Sequence, residues 1–280
     1  MADGSTVKRR RLGMRLREIR EAAGKTRDEA AAHLEVTAQT ISRFELGRGG
    51  IRAKTVRELL DLYSVKPDDP IRVDLEQMAR EGRTRSWWST YASVIDSGYA
   101  TFIGFEDSAA EVLTHAALVV PGLLQTEDYA RAVIRAARPD LPTVQLDRRV
   151  QVRMERQGRL AAGLRFWAIL DEAVVRRVVG GPAVMRPQLE RLIEAAQLSN
   201  VTIQVLPFAA GGHAGMLGAF TILSFEDDPD VVYIEGATGD QFLEGDAARP
   251  YTLHFNGLRA AGLHPDESIR LIEEAAKALR

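Results

Sequence analysis

The sequence predicts a mainly α-helical protein with an α/β C-terminal half. Apolar residues recur at helical spacing through residues 1–66, whereas β-rich runs bounded by Gly, Pro and Asp begin only at Arg165. Residues 1–66 carry 15 basic residues (Lys and Arg) and 9 acidic residues (Asp and Glu), whereas residues 67–280 carry 22 basic and 30 acidic residues. This asymmetry indicates a basic module that meets a polyanion and a larger acidic body, although charge can also drift along a solvated surface.

Composition limits the classes of protein. The chain has 280 residues, 45% of them hydrophobic, enough for one large domain or two ordinary ones. It has no cysteine, which excludes disulfides, thiolate zinc sites and cysteine nucleophiles. No apolar run approaches the roughly 18 residues that span a bilayer, and the N-terminus MADGSTVKRRR has no apolar segment typical of a secretory signal. We therefore expect a cytoplasmic protein with no membrane partner.

Short helices are predicted in the first 66 residues. Leu12, Leu16 and Ile19 form a helical stripe that ends near Gly24, and Thr26 can cap a second helix. The preceding KRRR run, residues 8–11, is interpreted either as an arm that contacts phosphates or as a disordered solubility tail.

Two more helices complete this domain. Thr37 can cap a third helix that runs to Leu46 before Gly47, and a fourth is predicted from about Lys54 to Leu62. Short helices joined by tight turns predict a four- to five-helix helix-turn-helix domain over residues 1–66.

The stretch LREIREAAGKTRDEAAAHLEVTAQTISRFELGR, within residues 12–65, resembles the XRE or phage-repressor type of helix-turn-helix. The resemblance implies that the partner is double-stranded DNA and that the third helix is the recognition helix, which lies in the major groove. It also implies a structural pair between Arg20 of helix one and Glu45 of the recognition helix.

The recognition helix has an outer face of short polar side chains, because Ile41 and Phe44 point inward. Gln39 can form paired hydrogen bonds to adenine, and Arg43 can do so to guanine. We expect base contacts from four residues: Ala38, Gln39, Thr40 and Arg43. Phosphate contacts, which position the domain without reading sequence, are expected from Arg27, Thr37, Ser42 and Arg48.

A connector is predicted over residues 67–85, where Asp69-Pro70 begins a helix of about residues 70–81. Trp87, Trp88 and Tyr91 follow it. Such an aromatic cluster is typical of interdomain packing, and the alternative is a ligand or partner surface.

A C-terminal regulatory or interaction domain is predicted over residues 86–280, helical over 86–163 and α/β over 164–280. The predicted strands are FWAIL, VTIQVLP, FTILSF and VVYIE, and the predicted helices of the second part cover residues 171–179, 186–198, 249–261 and 266–279.

The segments VPGLLQTEDYARAVI, RRVQVRMERQ and LPFAAGGHAGMLGAFTILSF resemble the C-terminal domain of actinobacterial, antitoxin-like XRE regulators. That resemblance implies a regulator, and it implies pairing with a small protein encoded by an adjacent gene.

Catalytic and metal-binding patterns are not found in the sequence. His213 lies in GGHAGMLG between two predicted strands, which is interpreted either as a glycine-rich turn or as a small-ligand site. No G-x-S-x-G, H-E-x-x-H or metal-spaced histidine pair occurs, so we expect no enzyme activity, no metal and no cofactor.

The leading hypothesis is a nucleoid-associated, sequence-specific transcriptional regulator, expected to be a homodimer. Its C-terminal domain would mediate oligomerisation, partner binding or sensing. The alternative is an antitoxin-like protein that mainly binds a small partner and binds DNA to regulate its own synthesis.

Overall fold

The computed structural model describes residues 7–47, 50–81, 86–226, 228–236 and 238–279. It confirms the predicted fold class: a helical N-terminal region is followed by helices and a six-stranded mixed sheet. The chain divides into two compact units. The first contains residues 1–92 and 99–108, and the second contains residues 93–98 and 109–280.

The first unit begins with five α-helices: α1 (Val7–Ala22), α2 (Arg27–His33), α3 (Ala38–Glu45), α4 (Ala53–Leu62) and α5 (Pro70–Glu81). A 3₁₀ turn (Trp87–Tyr91) follows, and most of α6 (Ser97–Ser108) also belongs to this unit. The KRRR run, interpreted from sequence as an arm or a tail, belongs to α1. The Arg10 guanidinium lies over the Phe105 ring at 5.3 Å.

The helix expected to act as a connector contributes to the core of the first unit. Leu75, Met78 and Ala79 of α5 are buried in one apolar cluster with residues of α1 to α4, including Leu16 and Leu60. The helix has the predicted bounds, but its apolar stripe closes the bundle because α5 packs against both α1 and α4.

The second unit is built on a sheet of order β3-β2-β1-β4-β5-β6. The first three strands are parallel, and β4, β5 and β6 are added antiparallel. Their bounds are β1 (Glu111–Ala116), β2 (Arg165–Asp171), β3 (Val201–Leu206), β4 (Phe220–Ser224), β5 (Val231–Ile234) and β6 (Gln241–Leu243).

Helices connect and cover these strands. The crossover from β1 to β2 contains α7 (Glu127–Ala137), α8 (Thr143–Arg156) and α9 (Gly158–Ala161), and the crossover from β2 to β3 contains α10 (Glu172–Arg176) and α11 (Pro182–Ala195). Parallel neighbours require such long connections. The last helices are α12 (Arg249–Ala261) and α13 (Pro265–Ala278).

The expectation that residues 86–163 are wholly helical does not hold, because β1 lies at the centre of the sheet. This six-residue strand pairs with β2 on one side and β4 on the other, and most of its residues are buried. The sheet context overrides the weak local pattern of EVLTHA, which is too short for periodicity to separate strand from helix.

Candidate nucleic-acid interface

Two capped helices and the turn between them build the candidate interface. Thr26 caps α2 in a capping box with Glu29, each side chain bonding the other's backbone N–H. Thr37 caps α3 by accepting a hydrogen bond from the Thr40 N–H. Between the helices, Glu35 has a φ of 53°. These local interactions fix where α3 begins.

Close backbone packing holds α3 against α1. Ile41 is buried, and Phe44 and Ala38 pack on the core of the unit. A Cβ atom on Gly13 of α1 would lie 2.4 Å from the Phe44 carbonyl oxygen, and a Cβ atom on Gly47 would lie 2.7 Å from the Arg10 Cα. Only glycine allows this approach, and Gly47 also has a φ of 64°.

The opposite face of α3 presents the side chains expected to contact bases. Gln39 and Arg43 are exposed, and Thr40 and Ser42 are partly exposed. Within the described residues, neither Gln39 nor Arg43 has a hydrogen bond or an ion pair, so both are free to meet a ligand. Ala38 is partly buried against the core, which leaves it less surface for a thymine methyl.

Glu45 lies at the buried side of α3 and binds two arginines. Its Oε1 accepts a 2.6 Å hydrogen bond from Arg20 Nε, and its Oε2 accepts bonds from Arg20 Nη2 at 3.2 Å and Arg27 Nε at 3.0 Å. The hydrogen bond to Glu45 is the main reason that the pKa of Arg20 is raised, and burial opposes it. Arg20 also donates to the Lys25 carbonyl. The carboxylate therefore ties α1 and α2 to α3.

The residues expected to contact phosphates have different surroundings. Arg27 Nε donates a hydrogen bond to Glu45, and the Arg27 side chain is 43% exposed. Thr37 has its hydroxyl within 3.0 Å of the Thr40 hydroxyl, where either can donate. Arg48 lies outside the described residues. No short-range sequence pattern predicts the Arg27–Glu45 contact, because these residues are 18 positions apart.

The aromatic cluster and His213 belong to different units. Trp88 and Tyr91 are buried, and the Trp87 ring makes T-shaped contacts with both. Of the suggested aromatic ligand or partner surface, only the Trp87 ring is partly exposed. Trp87 Nε1 donates to Asp107 at 3.4 Å. In the second unit, His213 Nε2 lies 3.9 Å from Asp171 Oδ2.

A buried histidine near His213 was not singled out from the sequence. His115 of β1 has its ring centroid 6.2 Å from that of His213, and its Nε2 lies 3.3 Å from the Gly215 carbonyl oxygen. Burial lowers the pKa of His115. Within the described ranges, no cluster of three or more potential ligands could hold a metal ion. This arrangement holds the glycine-rich loop against the end of β1.

Comparison with known protein families divides the chain in two. A helix-turn-helix domain profile matches residues 11–73, which include α2 and α3. A second profile, described as the domain of unknown function DUF5753, matches residues 99–274 and so covers more than half of the chain. The chain belongs to the DUF5753 family. The match of the DUF5753 domain includes all six strands described above.

No curated protein and no solved structure matches this DUF5753 protein. The helices within the described residues are too short or too polar to cross a bilayer. A helix-turn-helix domain followed by a DUF5753 domain indicates a DNA-binding regulator.

Proposed function

We propose that the protein is a sequence-specific transcriptional regulator of the XRE type, in which α3 reads bases in the major groove. The observation that carries the proposal is the division of α3 into two faces. Ile41 and Glu45 anchor its inner face, whereas Gln39 and Arg43 project from its outer face without partners among the described residues. Both side chains have the paired hydrogen-bonding groups that read adenine and guanine.

The basic charge of the N-terminal region supports this function. Residues 1–66 have six more basic than acidic residues, which favours a polyanion. Arg27 can add a phosphate contact, because its contact with Glu45 uses only Nε and its side chain is 43% exposed. The Thr37 and Ser42 hydroxyls lie beside the same outer face.

We further propose that the DUF5753 domain supports DNA binding by mediating oligomerisation or the binding of a protein or ligand. Its net negative charge makes direct phosphate contacts unfavourable. A domain that holds two basic modules together would raise affinity for a two-part operator.

Substitution of the readout side chains tests the proposal. After the bound sequence has been selected from a random DNA pool, Gln39→Ala and Arg43→Ala should each cost about 1–3 kcal/mol on that sequence and relax preference at one base pair. Arg27→Ala should weaken binding to all DNA sequences similarly. It should also reduce the salt dependence of the binding constant by the equivalent of about one phosphate contact.

The matched control is Arg17→Ala on α1, because Arg17 is also an exposed arginine but pairs with Glu21. It should leave both affinity and preference nearly unchanged. If Gln39→Ala and Arg43→Ala both retain the parent preference at every base pair, α3 is not the reading element.

A further inference from the structure

The outward face of α12 carries no charged side chain across its middle. Residues 250–258 contain no Asp, Glu, Lys or Arg, and the exposed positions there include Leu253, Asn256 and Gly257. By contrast, the outer face of α11 carries the ion pair Arg186–Glu190. Depletion of charge is typical of the centre of a protein–protein interface.

Apolar side chains next to α12 extend this surface. The 3₁₀ turn Ala214–Leu217 packs against α12, and it exposes Met216 and Leu217 at 73% and 85%. Leu253 of α12 is itself 69% exposed. Residues 207–225 also lack Asp, Glu, Lys and Arg, so the turn and the helix share an uncharged character. Large exposed apolar side chains on two elements that pack together indicate an interaction surface.

Gly257 provides an independent indication that something approaches α12 closely. It lies inside a 13-residue helix, where only proline is less favourable than glycine. A Cβ atom added there would meet no atom within 4 Å, so packing within this chain does not require a glycine. Absence of a side chain permits close approach by another backbone or side chain.

Building on the proposed role of the DUF5753 domain in oligomerisation, we propose that α12 and the Ala214–Leu217 turn form a two-fold interface between two copies of this chain. In an antiparallel crossing of two α12 helices centred near Phe255, Leu253 of each copy lies opposite Gly257 of the other. A projecting side chain and an open position are then paired twice, as an isologous interface requires.

Charge selects a second copy over a different protein as the occupant. The chain from residue 67 onward has eight more acidic than basic residues, so most of its surface repels an identical surface. An uncharged face avoids that repulsion. An unlike partner of an acidic domain would be expected to supply basic residues and to meet acidic ones, which this face does not offer.

Light scattering on the full chain without DNA tests this inference, so its outcome is separate from that of the proposed DNA binding. The parent chain should be a dimer. Gly257→Glu should weaken dimerisation at least about tenfold, because it brings two new carboxylates into the contact while leaving each chain free of clashes. Val144→Glu, at a position of α8 that is 72% exposed, is the matched control and should remain dimeric.

Cross-linking tests the pairing itself, since the natural chain has no cysteine. In air-saturated buffer, where oxygen is the oxidant, a mixture of Leu253→Cys and Gly257→Cys chains should form a disulfide between unlike chains in higher yield than either variant alone. A monomeric parent chain overturns the inference and leaves a different protein as the occupant of this surface. A Gly257→Glu variant that dimerises as tightly as the parent also overturns it.

Discussion

At the scale of single residues, Glu45 is the side chain of the candidate interface that joins two arginines. It is nearly inaccessible, and its two oxygens are shared by the buried Arg20 and the half-exposed Arg27. Arg20 makes two of the three hydrogen bonds to this buried carboxylate and is itself buried, whereas Arg27 makes one and is largely stabilised by solvent. The two arginines should therefore contribute very differently to stability.

Arg20→Ala should lower the free energy of unfolding of the first unit by about 3–5 kcal/mol, and Arg27→Ala by at most about 1 kcal/mol. Chemical denaturation of the full chain, followed by tryptophan fluorescence, measures both. Glu45→Ala combined with Arg20→Ala should be less damaging than the sum of the single changes. Equal decreases in the free energy of unfolding for the two variants would contradict the conclusion that Arg20 is buried and Arg27 is exposed.

Tyr63 lies in the same buried region. Burial, with a smaller contribution from the Glu45 charge, raises the pKa of Tyr63 to about 12. Because the unfolded chain ionises its tyrosines near pH 10, this side chain contributes stability that is fully present below pH 10 and is lost as the pH rises toward 12. The loss should be about 2–3 kcal/mol. In Tyr63→Phe, the decrease in the free energy of unfolding above pH 10, measured by urea unfolding, should be smaller by that amount.

At the scale of elements, the crossing of α1 and α3 depends on an absent side chain. A Cβ atom on Gly13 would lie within 2.8 Å of three backbone atoms of Phe44 and Glu45, none of which can move without moving α3. Gly13→Ala should therefore destabilise the unit by about 1–3 kcal/mol, although alanine favours helix formation.

Gly13→Ala should also weaken DNA binding, since α3 would be displaced from the bundle. Thermal unfolding and a binding titration measure the two effects. Met14→Ala, at the adjacent and exposed position of α1, is the control and should alter neither by more than a small amount. A Gly13→Ala chain as stable as the parent would show that the helices do not approach so closely.

At the scale of the whole molecule, the DNA-binding region does not end where its helix-turn-helix pattern ends. The predicted domain boundary at residue 66 would remove α5 and with it Leu75, Met78 and Ala79 from the core. Burial of Leu75 and Met78 is worth about 1.5–3 kcal/mol for each side chain.

A fragment of residues 1–81 should thus be about 3–6 kcal/mol more stable than a fragment of residues 1–66. Circular dichroism during urea unfolding compares the two. Both lack the second unit, so the longer fragment should keep the sequence preference of the full chain but bind a two-part operator more weakly. If residues 1–66 unfold at the same urea concentration as residues 1–81, α5 is only a connector.

Sequence alone determined the elements that have strong local signals. The caps at Thr26 and Thr37, the apolar stripe of α1 and the β-rich runs of β2 to β5 depend on residues close together in the chain, whose propensities agree with the final structure. The polar outer face of α3 was also readable, because the inward positions of Ile41 and Phe44 define the opposite side.

Only the tertiary structure decided which distant groups meet. It placed β1 between β2 and β4 and brought α5 into the core of the first unit. It also buried His115 against Gly215 and paired Arg27 with Glu45. Each outcome depends on packing between segments far apart in sequence, where burial and pairing outweigh local propensity. The same reason applies to Gly257. The open space next to this position of α12 is a property of the folded chain, and a sequence pattern does not show it.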